Sequence, residues 1–328
     1  MSITKGSDRI VGLESADAGE GTVKWAPAKS VWMTAMTASG VVFAPLTFTW
    51  QALGVFFVLT GLTLCAGHSV GMHRRLIHNS FSCPLWLEYL LVYLGVLVGM
   101  AGPFSMMRQH DLRDWAQRQK VCHDYLCHRR SILTDYIWQV HCDIELKSPP
   151  RFTLENRLAD DRVYDWMERT WMLQQTPLAL ALYLLGGWSF VVWGVALRVA
   201  VSVTGHWLVG HYAHHEYSKT DGDMSWRVSN ASVQGRDVRV AGLISMGESW
   251  HNNHHAFPGS AKIGLLPGQP DPGWWFIMLL ERLGLARDIK TPETMPERKE
   301  LIRLPTRGTG WRVCDLRKRL WRRIVSTA

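Results

Sequence analysis

The residues best suited to chemistry are His251-Asn252-Asn253-His254-His255, preceded by Gly247-Glu248-Ser249-Trp250. Histidines at i, i+3 and i+4 lie on one face of a helix. A neutral imidazole offers one lone pair to a metal, so three on one face read as a metal site. Asn252 and Asn253 are weak helix formers, so helix propensity does not account for the segment. Two further clusters accompany it: His73 with His78, and His206, His211, His214 and His215. On an α-helix His73 and His78 share a face poorly, yet they could still reach two different metals of a pair.

The elements that must position these histidines are apolar. No Asp, Glu, Lys or Arg occurs from Ser30 to Met72 or from Trp171 to Leu197. Each window suits two membrane passes joined by a tight turn. Pro45 through Gln51 would turn the first pair and Gly186-Gly187-Trp188 the second, with the fourth helix running on past Arg198. The expected fold class is therefore all-α: an integral membrane protein with four transmembrane helices in two hairpins. A helical cytosolic cap would carry the histidine-rich metal site. Neither turn is charged, so the positive-inside rule puts the histidine clusters and both termini on the cytosolic face. Each hairpin then delivers histidines to one membrane-proximal layer, where ionisable residues are functional by default.

Pro84 to Gly102 is apolar but carries Glu88, and a full span there would separate the histidine clusters across the membrane. It reads instead as a helix in the interface or beneath the cap. The expected organisation is a flexible tail over 1–29, a membrane domain over 30–300 and a basic tail over 301–328. The net charge of +8 in 328 residues comes without a nucleic-acid module, so lipid headgroups or a phosphorylated substrate suit it better than nucleic acid. The six cysteines form no CxxC and are expected as reduced thiols. Cys122-His123 and Cys127-His128 match no common zinc spacing. His-Glu-x-x-His is absent, which argues against a soluble zinc hydrolase.

Over roughly Gly67 to Leu285 the chain resembles the membrane-bound fatty acid desaturases, in the stearoyl-CoA and Δ9 acyl-lipid branch. Gly71-Met72-His73-Arg74 with His78 looks like that family's first histidine box, and Gly247 through His255 like its third. Trp207-Leu208-Val209 followed by His214 is similar to the stretch bearing its extra histidine ligand. The second box departs. Where the family has His-x-x-His-His, this chain has His110-Asp111-Leu112-Arg113-Asp114. His110 fits, but Arg113 has no lone pair to give a metal. Asp114 is a hard oxygen donor on the same helical face as His110. Gly210-His211 stands where the branch has Asn-Ser, and His211 could supply a replacement ligand. The metal set implied is His73, His78, His110, His214, His251, His254 and His255, with Asp114 and His211 as substitutes. His68, His123 and His206 are weaker candidates.

The resemblance implies two Fe ions forming a di-iron site, O2 as co-substrate, a fatty acyl substrate in an apolar tunnel, and a cis double bond as product. It also implies an external electron donor such as ferredoxin or cytochrome b5, for which the basic tail could be a dock. Glu248 and Asn252 are candidates to orient ligand imidazoles. Arg74 and Arg75 read as contacts for a headgroup or CoA phosphate, or as snorkelling to the interface. A one-metal site, a related hydroxylase, and a metal-poor lipid-binding relative remain open at this level.

Overall fold

The computed structural model describes residues 9–214 and 224–305. Its first elements are two short strands, β1 (Ile10–Val11) and β2 (Asp17–Trp25), followed by helix α1 (Pro27–Leu46). Next comes α2 (Trp50–Ile77), whose second part, Thr63–Ile77, is wound more widely than an α-helix. Helices α3 (Leu85–Val96), α4 (Pro103–Gln117) and α5 (Ile132–His141) lead to β3 (Cys142–Ser148) and β4 (Arg151–Phe152). Then follow α6 (Asn156–Ala159), α7 (Arg162–Thr170), α8 (Gln175–Val191) and α9 (Arg198–His214), the last two joined through Val192–Leu197. The chain closes with β5 (Trp226–Val228), α10 (His251–Ala256), α11 (Pro272–Arg282) and β6 (Leu301–Arg303).

Both hairpin turns fall where the charge-free windows placed them. Thr49 caps α2 by accepting from the Ala52 amide at 3.0 Å, as an N-cap threonine does. The second turn is made at Gly186-Gly187, where Gly187 has φ 64°. Glycine takes that left-handed conformation without a Cβ clash. Leu182 consequently packs against Gly194, so the two legs fold back on each other. The tips are stitched together, with Ser189 Oγ donating to Thr47 O at 2.6 Å and Trp193 Nε1 to Ala44 O at 3.1 Å.

By length and composition, two of the described helical stretches can cross a membrane: Trp50–Ile77 and Gln175–His214, the second including the turn. Their outward side chains are apolar, as at Phe57, Val58, Leu184 and Leu185, and the tips carry Phe48, Trp50 and Trp188. Such a surface marks an interaction face rather than a solvated one. Helix α3 has 12 residues, about 18 Å of rise, too short to span a bilayer. It packs along the wide part of α2, where a Cβ at Gly67 would meet the Leu94–Gly95 backbone.

The fold is mostly helical but not purely so. Within the segment read as a flexible tail, β2 pairs antiparallel with β3, setting Val23 opposite Ile144 and Trp25 opposite Cys142. β1 pairs with β4, and β5 with β6. Ile10 and Ala18 are buried in a cap cluster with Trp115, Tyr125 and Leu126. A second cluster of Met72, Leu76, Val92, Val96, Met107 and Tyr164 joins α2, α3, α4 and α7 beneath the histidines.

Arg198, the charge within the last long helix, is fully buried. It donates to Leu97 O, Gln175 Oε1 and Gly194 O at 2.6–2.7 Å. Arg74 and Arg75 do not snorkel. Arg74 is 1% exposed and pairs with Asp271 at 2.7 Å, while Arg75 pairs with Glu88 at 2.5 Å. A guanidinium and a carboxylate can be buried there because each satisfies the other.

Candidate metal centre

Among the described residues, three sets of side chains bring possible ligand atoms within 4.8 Å of one another: His73, His78, His110 and His254; His214, His251 and His255; and His128, Asp135 and His211. The first set is assembled by α2, α4 and α10. His78 follows the wide turns of α2, where its amide donates to the His73 carbonyl five residues back at 3.1 Å. Such i→i+5 winding is rare and recurs at functional sites. It returns His78 over His73 and brings their Nε2 atoms to 3.2 Å. On α-helical winding these two histidines would diverge; the wider winding brings them together.

The second set joins the end of α9 to α10. His251 Nε2 lies 2.9 Å from His214 Nε2 and 3.1 Å from His255 Nε2. The rings of His251 and His254 are 5.6 Å apart, so the two sets are neighbours across one short helix. Imidazole lone pairs do not face each other at this range without a proton or a cation between them. Nitrogens bound about 2.1 Å from one ion, at right angles, stand about 3 Å apart, which is the spacing seen. Burial, with His73 next, pushes His251 down to about 3. Burial likewise holds His254 and His255 well below the usual imidazole range. Neutral rings with free lone pairs are what a metal requires.

Carboxylates back the first set. Glu248 Oε2 lies 2.6 Å from His73 Nδ1, and Glu248 Oε1 accepts from Ser69 Oγ at 2.5 Å. Burial alone would raise the Glu248 carboxyl, but His73 and Arg74 hold it well below the carboxylate range. Asp111 Oδ1 lies 3.3 Å from His110 Nδ1, and Asp111 Oδ2 accepts from Arg9 Nε at 2.6 Å. Partners of this kind fix which nitrogen faces the metal. Asn252 has another task. Its side chain accepts from the Ser225 and Trp226 amides and donates to Trp226 O and Gly235 O, pinning the preceding loop to α10.

The two substitute ligands lie apart from both histidine sets. Asp114 is held by Arg118 at 2.9 and 3.2 Å, one helical turn on. His211 is fully buried, with Nδ1 donating to Asp135 Oδ2 at 2.8 Å. The same oxygen accepts from His128 Nδ1 at 2.9 Å and Trp207 Nε1 at 2.8 Å. In this third set the carboxylate already serves three N–H donors, so it reads as a hydrogen-bond hub. Arg113 extends it, touching His128 Nε2 and donating to Gln139 Oε1 at 2.7 Å. Asp135 and Arg9 were not singled out from sequence; His128 was met only in a zinc spacing that fits no common module, and Asp111 only as a member of the altered second box. The available signal was the His110-Asp111 neighbour pair; the rest depends on contacts across the fold. Cys122 and Cys127 belong to none of the sets, and the described cysteines are free thiols.

Helical hairpins with an apolar exterior, carrying converging imidazoles at one end, define a membrane-associated, metal-binding protein. The Fatty acid desaturase family profile matches residues 48–261. The sn-1 stearoyl-lipid 9-desaturase of Anabaena variabilis is 34% identical over 250 residues, covering 76% of this chain and 87% of that protein. Delta-9 acyl-lipid desaturase 2 of Arabidopsis thaliana is 32% identical over 271 residues, 79% of this chain and 81% of that one. An acyl-CoA C20 Delta5-desaturase of Anemone leveillei is 32% identical over 261 residues, 78% and 80% of the two chains. The chain belongs to the fatty acid desaturase family, in its stearoyl and Δ9 acyl-lipid branch, and is an oxidoreductase of lipid metabolism.

Proposed function

We propose that this protein introduces a double bond, Δ9-type, into a fatty acyl chain carried as an acyl-lipid or acyl-CoA, in an O2-dependent reaction at two irons. The observation that carries the reading is the pair of adjoining histidine sets, with Nε2 atoms 2.9–3.2 Å apart. His73, His78, His110 and His254 would hold one iron, and His214, His251 and His255 the other. Imidazole suits iron. Bound iron with O2 supplies the oxidising power to take hydrogen from unactivated methylenes, which no side chain has. In the balance, two hydrogens leave adjacent carbons and O2 becomes two waters, with two electrons and two protons from a donor.

The chain's own part is to position and protect. Glu248 and Asp111 orient His73 and His110, and Arg74 with Asp271 locks the end of α2 against the loop after α10. Four passes through the bilayer, formed by the two hairpins, would leave the histidines and both termini cytosolic. Ferredoxin or cytochrome b5 would reach the centre from that side. Asp114 and His211 are not assigned as ligands, because their side chains are engaged by Arg118 and Asp135.

The test is expression in a host lacking acyl desaturation, with gas chromatography–mass spectrometry of its lipids. A monounsaturated product that disappears in His254→Ala supports the reading. A hydroxylated product would make the protein a hydroxylase instead. An effect of the protein that survives His254→Ala would make it a metal-independent relative.

A further inference from the structure

The two histidine sets differ in their surroundings, and the difference traces to the altered second box. The four-histidine set has carboxylates behind two of its rings, Glu248 at His73 and Asp111 at His110. Each raises its imidazole's basicity and offsets the charge of a bound cation. Among the described residues no carboxylate pairs with His214, His251 or His255, and the buried His214 Nδ1 has no hydrogen-bond partner.

A fixed cation sits beside that second set. Arg113 touches His128 Nε2, and the His128 ring stacks on His214, with centroids 5.8 Å apart and planes 7° from parallel. Arg113 is paired with no carboxylate among the described residues; its contacts are Gln139 and His128, both neutral groups. The next residue on its helix, Asp114, is held in both oxygens by Arg118. Asp135 lies on the far side of the His128 ring and is shared among three donors. His128 itself is held at φ 54°, a left-handed conformation that a non-glycine residue keeps only where its surroundings impose it. The surroundings thus fix this ring between Arg113 and Asp135. Arginine stays charged at any accessible pH, and like charges in a poorly hydrated site repel strongly.

We propose that the two sets are unequal metal sites: the four-histidine set binds tightly, and Arg113 makes the three-histidine set weak, so the protein fills in two separate steps. This rests on the reading that both sets bind metal. In it, Arg113 acts as a positioning and affinity-setting residue for the second ion, and the exchange of that ion is the adjustable property of the centre.

The experiment is an anaerobic titration of the metal-stripped, full-length protein in detergent with cobalt(II). Bound cobalt is measured by dialysis, and its ligand-field absorption reports the coordination of each step. The expected result is one equivalent bound first and a second at least about tenfold weaker. His78→Ala should remove the tight step, and His214→Ala only the weak one. Arg113→His should bring the two steps together. Arg113→Gln, which keeps a polar side chain without charge, tests the same point if the histidine variant misfolds. Two equal equivalents in the native protein would overturn the inequality while leaving a two-metal centre standing. Unequal steps unmoved by either Arg113 substitution would overturn the role given to Arg113. Absence of cobalt from both sets would overturn the two-metal reading itself.

Discussion

Glu248→Gln probes the link between the centre and its support most directly. The two carboxylate oxygens have separate tasks: Oε1 accepts from Ser69 Oγ at 2.5 Å and Oε2 faces His73 Nδ1 at 2.6 Å. Glutamine has a single acceptor oxygen. If that oxygen stays with Ser69, the amide NH2 faces the Nδ1–H of His73, donor against donor. If the amide flips, Ser69 loses its acceptor. In either case His73 loses the anion that holds its Nε2 toward His78 and His254. Removing such a partner lowers metal affinity or activity by about 10–100-fold. The fold should survive, because Arg74 keeps Asp271 at 2.7 Å and Ala261 O at 2.7 Å. The assay is metal content per chain after dialysis, with thermal unfolding in detergent measured on the same samples. A variant that unfolds like the parent but retains metal to within twofold would refute the orienting role of Glu248.

Three further outcomes follow from buried partners. Asp271→Ala removes the counter-ion of Arg74 and the acceptor of the Ile263, Gly264 and Trp274 amides; it should destabilise by about 3–5 kcal/mol, read as a lowered unfolding temperature. Arg198→Met leaves Gln175 Oε1 without its donor and Leu97 O with Gln175 Nε2 alone, at about 1–3 kcal/mol for the orphaned group, and protease sensitivity between the hairpins should rise with it. Asp135→Asn cannot accept equally from His128, His211 and Trp207; a loss of about 1–3 kcal/mol is expected, and tryptophan fluorescence from Trp207 would report it. An Asp135→Asn protein as stable as the parent would show that the hub is not structural.

The hairpins were legible because charge-free windows and their turns are local properties of the chain: Pro45 through Gln51 and Gly186-Gly187-Trp188 needed no tertiary information. The histidines that converge were also legible, since His251, His254 and His255 follow a helical period. The meeting of His73 with His78 was not, because the wide winding of Thr63–Ile77 leaves no periodic signature in the sequence. The N-terminal strand was hidden for another reason. Asp17–Trp25 is polar, and it becomes a strand only by pairing with Cys142–Ser148, more than a hundred residues away. The tasks of Arg9 and Asp135 were likewise invisible, being defined by partners from other helices. Arg74 and Arg75 look like interface residues in sequence; their burial depends on Asp271 and Glu88.

The span of the chain between Arg74 and Asp271 also dictates timing. As the polypeptide leaves the ribosome, His73, His78 and His110 emerge well before His254, and the clamp at Asp271 comes later still. Domains whose contacts join distant parts of the chain close slowly. A nascent chain that has emerged only as far as α9 therefore offers three loosely held imidazoles and His214, with nothing to lock them. On the reading that both histidine sets bind metal, neither set is complete until His251, His254 and His255 have emerged, which would make metal loading a late event. Cells starved of metal should accumulate a complete, inserted chain awaiting its ions rather than one stalled in translation.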